Sequence, residues 1–118
     1  MKKIISIDGK DYTMKSSAYT QFAYKNMTGR SLLKDLQTLI DIADKIESDL
    51  SLLDKITEPI LDIAFVMIQE ADETQLNSKE DFYKAIDNMF GDYEWISNVI
   101  SLAVNPYVRQ LQNNINKS

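Results

Sequence analysis

The chain has 118 residues, 44 % of them apolar, and a net charge of −5. That is enough for one buried core and is the wrong sign to attract nucleic acid or anionic lipid. It has no cysteine and no histidine, which removes disulfides, thiolate and imidazole catalysis and the usual zinc and copper ligands.

Any catalytic base would be a carboxylate or lysine shifted strongly by burial, so a non-enzymatic protein without cofactor or metal is expected. The longest apolar run, residues 63–68, is far short of the roughly 20 needed to span a bilayer, and the apolar part of the N-terminus is too short for a signal peptide. The expectation is a cytoplasmic protein with no membrane partner and no nucleic-acid partner.

The elements follow in chain order. Ile5 and Ile7 alternate with Ser6 and Asp8, and Tyr12 and Met14 with Asp11, Thr13 and Lys15. Asp8-Gly9 between them suits a tight turn that needs positive φ, so residues 3–7 and 11–15 read as a β-hairpin. Ser16 or Ser17 caps a short helix with its stripe on Ala18, Phe22, Ala23 and Met27. Gly29 then fits the left-handed position past its end.

Ser31 caps a second helix. Leu32, Leu36, Leu39, Ala43, Ile46, Leu50 and Leu53 hold a helical period, widened by Leu33 and Ile40 and broken near residue 48. Glu58-Pro59 marks the next start, because proline fits a first turn and resists an interior. From there Ile60, Ile63, Ala64, Met67, Ile68 and Ala71 line one face. Leu61, Phe65 and Val66 make the helix apolar nearly all round, as a central helix should be.

Residues 72–77 read as a polar loop. Ser78 to Asp81 form a capping box with aspartate in place of glutamate. The helix that follows carries Phe82, Ala85, Ile86, Met89 and Phe90 and ends at Gly91. Asp92 caps the last helix, with Ile96, Val99, Ile100, Ala103, Tyr107, Leu111 and Ile115 down one side and a kink expected at Pro106. The fold class is mainly α (α+β): an N-terminal hairpin and about five helices in one domain over residues 3–112, followed by a polar tail at 113–118.

No glycine-rich phosphate loop is present, since Gly9, Gly29 and Gly91 stand far apart. The acidic stretches around residues 70–73 and 86–92 miss the Ca²⁺-loop spacing. Lys84 and Asp87 read as a surface pair. Trp95, the sole tryptophan, sits beside the Ile96 stripe and suits either the core or an interface. With Leu102, Val104 and Val108 it makes the last helix apolar on more than one face. Part of that surface can seat on the domain and part can meet a partner or a second copy of the chain. Trp95, Leu102, Val108, Leu111 and Ile115 are therefore the candidate partner-binding residues. The charge is lopsided as well. Residues 1–59 balance nine basic against nine acidic side chains, whereas residues 60–118 carry four against nine.

The order of these features resembles a known family. A hairpin Ile5-x-Ile7-Asp8-Gly9-Lys10-Asp11-Tyr12 leads to Phe22-Ala23-Tyr24 and then to Asn26-Met27-Thr28-Gly29-Arg30-Ser31-Leu32. The apolar helix at 60–68, Ser78-Lys79-Glu80-Asp81-Phe82 and a closing helix rich in Ile, Val and Leu follow. This is similar to the tail assembly chaperones of siphophages and prophages of Gram-positive bacteria, over roughly residues 3–112. The resemblance implies a protein that binds the long, apolar, helical tape measure protein and keeps it soluble until tail tube protein polymerises around it. It also implies a longer frameshifted form that contacts the major tail protein, action in the host cytoplasm and absence from the mature virion. Several copies lining one client would be self-association of the same kind. Two alternatives stand beside it. One is a structural connector or tail-completion protein. The other is an acidic DNA mimic using the eight carboxylates between Glu70 and Glu94.

Overall fold

A computed structural model describes residues 1–43, 45 and 49–117, with side chains as far as Tyr107. Strands β1 (Lys2–Ile7) and β2 (Lys10–Lys15) pair antiparallel, with Ile5 opposite Tyr12 and Lys3 opposite Met14. Asp8 and Gly9 both take positive φ, 52° and 79°. This is the primed turn whose twist matches the strands it joins. Period-two alternation sends Ile5, Ile7, Tyr12 and Met14 to one buried face. A hairpin alone is marginal in water, and this face is covered by the helices. The free edge of β2 is covered by a side chain: Gln75 accepts from the Thr13 N–H and donates to the Thr13 carbonyl, both at 2.9 Å.

Ser17 caps α1 (Ala18–Thr28) in a capping box whose return arm is the Thr20 hydroxyl, which accepts from the Ser17 N–H at 2.9 Å. Gly29 closes the helix at φ 74°, its N–H on the Lys25 carbonyl. Helix α2 (Leu32–Ala43) starts beside Ser31, whose hydroxyl accepts from the Lys34 N–H, and buries Leu32, Leu36 and Leu39. The break expected near residue 48 and Ile46 before it lie outside the described residues, and beyond them Leu50 is exposed.

Helix α3 (Leu53–Ala71) begins six residues before the start expected at Pro59, which lies inside it. Asp49 caps the short turn Leu50–Leu52 that runs straight into the helix. Pro59 removes one helix hydrogen bond, the one to the Lys55 carbonyl. Full burial of Ile56 and Ile60 on either side offsets that loss. Every residue from Ile60 to Ile68 is buried, as an all-round apolar helix requires. The hairpin and the other helices surround it.

Helix α4 (Lys79–Lys84) is capped by the Ser78 hydroxyl, which accepts from the Asp81 N–H at 3.1 Å. It stops seven residues short of the expected end at Gly91. The reason is tertiary. The Asp8 carboxylate at the hairpin turn takes the N–H groups of Asp87 and Asn88, and the Trp95 indole takes the Met89 carbonyl at 2.8 Å. Backbone groups that would have closed another turn are held from outside. The expected Lys84–Asp87 pair does not form. Lys84 instead meets Glu80 at 2.9 Å, four residues back. Helix α5 (Glu94–Lys117) starts beside Asp92, which accepts from the Glu94 N–H, and its backbone runs on through Pro106.

Candidate partner-binding surface

Two of the five residues expected to meet a partner are in the core. Trp95 is 3 % exposed and Leu102 2 %, so in this fold neither has apolar surface to offer. At about 100° per residue, Trp95, Ile96, Val99, Leu102 and Ala103 span one arc of roughly 120°, which is the ordinary width of a core-facing stripe. Trp95 and Leu102 are one margin of that stripe, and all five are buried. Val108, Leu111 and Ile115 lie on the helical backbone of α5, but their side chains are outside the described residues.

Exposed apolar surface is found instead on α1. The expected core stripe of this helix is in large part turned outward: Phe22 is 60 % exposed, Met27 is also exposed, and Tyr19, one turn from Phe22, is 58 % exposed. The Tyr19 and Phe22 rings lie against each other at 5.8 Å between centroids. Two polar side chains occupy the buried face in their place. Thr20 donates to Glu70 of α3 at 2.9 Å, and Tyr24 donates to Asp35 and accepts from Arg30 at 3.1 Å. A buried hydroxyl is tolerated when it is hydrogen-bonded. These partners fix the roll of α1 against its apolar periodicity.

The roll opens a groove of about 470 Å³ between α1 and α3, walled by Tyr19, Ala23 and Met27 and floored by Phe65 and Val66. Gln69, Glu70 and Glu73 close one end. The Glu70 carboxylate also accepts the Ser17 hydroxyl at 3.1 Å. A second cavity of about 410 Å³, beside the hairpin turn, is polar. Two of its carboxylates, Asp8 and Asp92, are already engaged by backbone N–H groups.

Sequence reasoning missed one further cluster. Asp62, in the middle of the apolar run of α3, is fully buried. Its Oδ2 accepts from Arg30 at 2.7 Å, and its Oδ1 accepts from Tyr83 at 2.6 Å and Lys79 at 2.9 Å. Arg30 also reaches Asp35 at 2.9 Å and Glu58 at 3.3 Å. Burial alone would raise the Asp62 pKa. The hydrogen bonds from Tyr83, Lys79 and Arg30 outweigh it, and the net shift is downward. Burial and the neighbouring carboxylates push the Tyr24 and Tyr83 hydroxyls upward. Asp62 is thus an ionised anchor with both oxygens engaged, holding the α1–α2 connection and α4 to α3. A charged residue inside an otherwise apolar helix was the signal available for it.

Among the described residues no group of carboxylates is arranged to hold a metal ion, and no helix is long and apolar enough to cross a membrane. Comparison with protein-family models, with curated proteins and with solved structures finds no match.

Proposed function

We propose that this chain is a tail assembly chaperone, which lends apolar helical surface to a tape measure protein in the host cytoplasm and leaves before the virion is complete. The observation that carries the reading is the outward-facing Tyr19–Phe22 pair beside the α1–α3 groove. Tyr19 walls the groove and Phe22 stands in water against it, and exposed aromatic surface beside a groove is what a helix-binding surface needs. The excess of carboxylates keeps such a molecule soluble while that surface is open. The order of hairpin, apolar helix and closing helix, in which the chain resembles the chaperone family, supplies the client. The stripe of Val108, Leu111 and Ile115 on α5 is a second contact in this proposal, and a frameshifted longer form would carry the contact to major tail protein.

Co-expression with the tape measure protein of the same phage tests it. The client should move from the pellet to the supernatant when this chain is present and co-purify with it. A client that stays insoluble with or without the chain ends the proposal.

A further inference from the structure

We infer that the α1–α3 groove takes an amphipathic helix whose apolar stripe ends in a lysine or arginine, seated on Glu70 and Glu73. The inference rests on the chaperone reading for the owner of that helix, and on the groove alone for its chemistry.

Met27 stands eight residues after Tyr19, roughly 12 Å along α1. That is two turns, the length over which a partner presents side chains at i, i+3 or i+4, and i+7. The floor is narrow, since Phe65 is 9 % and Val66 4 % exposed, and the apolar contact comes mainly from the walls, Tyr19, Ala23 and Met27. The Glu70 carboxylate is set before any partner arrives, with one oxygen on the Ser17 hydroxyl and the other on Thr20. Hydroxyl donors leave lone pairs free on both oxygens. Among the described residues neither Glu70 nor Glu73 has an ion-pair partner.

The closed end of the groove thus carries two carboxylates with no ion pair among the described residues, near the N-terminal ammonium that sits on the Ser16 carbonyl at 2.8 Å. A neutral helix lying there would desolvate a carboxylate for nothing. An acidic helix would be repelled. A basic one completes the pair. This charge complementarity also disfavours a second copy of the chain, whose net charge is −5.

The test uses two amphipathic helical peptides with the same leucine stripe, about five turns long. One carries lysines in its last turn and the other glutamates. At low salt the lysine peptide should bind at least about fivefold tighter. Amide shifts in the labelled protein should cluster on 18–28 and 65–73. Glu73→Lys, at an exposed position, leaves Glu70 to offset the new lysine and should erase the preference between the two peptides, and Met27→Glu should abolish binding of both. Equal affinities, no saturable binding, shifts centred on α5, or peptide-independent dimerisation through the groove would each overturn the assignment. If the lysine peptide binds in the groove while the tape measure protein stays insoluble, the chaperone reading falls and the groove stands. If Met27→Glu still solubilises that client fully, the groove falls and the chaperone reading stands.

Discussion

Replacing Asp62 by asparagine keeps the size of the side chain and removes its charge. The carbonyl oxygen can still accept from Tyr83 or Lys79, but the amide nitrogen now faces the Arg30 guanidinium, donor against donor. Breaking a fully buried ion pair costs about 3–5 kcal/mol. Here both cations are more than a third exposed and recover part of the loss from water and from Asp35 and Glu58. The discounted figure is about 2–3 kcal/mol. For a chain of 118 residues each kcal/mol moves the melting temperature by about 4 °C, so Asp62→Asn should melt about 8–12 °C lower. Urea unfolding should show a lower midpoint at unchanged slope.

The pH dependence has a definite sign. Asp62 titrates lower in the folded protein than in the unfolded chain, so on acidification the unfolded state takes up its proton first and stability falls. The contribution is complete above about pH 4 and is lost as pH drops through the lower folded value. The gap between wild type and Asp62→Asn should therefore be constant from neutral pH down to that point and close below it. A gap under about 0.5 kcal/mol at pH 7, the scale of an ordinary surface substitution, would refute the account of Asp62 as the anchor of this cluster.

Other outcomes follow from the same structure. Trp95, the sole tryptophan, should emit at short wavelength and resist acrylamide quenching until the protein unfolds; water-like emission from the native protein would contradict the packing of α5. Leu102→Ala should cost about 2–5 kcal/mol by opening a cavity, read by denaturant titration, whereas Phe22→Asp should change stability by less than about 0.5 kcal/mol while impairing client solubilisation. Gly29→Ala should lose about 1 kcal/mol from its left-handed backbone alone, since a Cβ there meets nothing within 4 Å. Leu111→Asp should weaken client association or self-association more than it lowers the melting temperature, and equal losses in both would make that residue simply part of the core.

Features governed by local chemistry are legible in the amino-acid sequence. The hairpin follows from period-two alternation around Asp8-Gly9, the ends of α1 from Ser17 and Gly29, and the central place of α3 from an apolar run with no polar face between Ile63 and Ile68. Each is set by residues within a few positions of one another, through backbone conformation, capping or burial. Tertiary structure decided the rest. Pro59 reads locally as a helix start, yet packing of Ile56 and Ile60 carries α3 past it. Apolar spacing assigns Phe22 to the core and Trp95 to a margin. The first is turned out because Thr20 and Tyr24 find partners on α2, α3 and Arg30, and the second is turned in because the buried arc of α5 is wide enough to reach it. A hydrogen bond between residues 50 positions apart, such as Thr20 to Glu70, leaves no trace in periodicity. For that reason the faces of α1 and α5, and with them the groove, are decided only by how the folded chain packs.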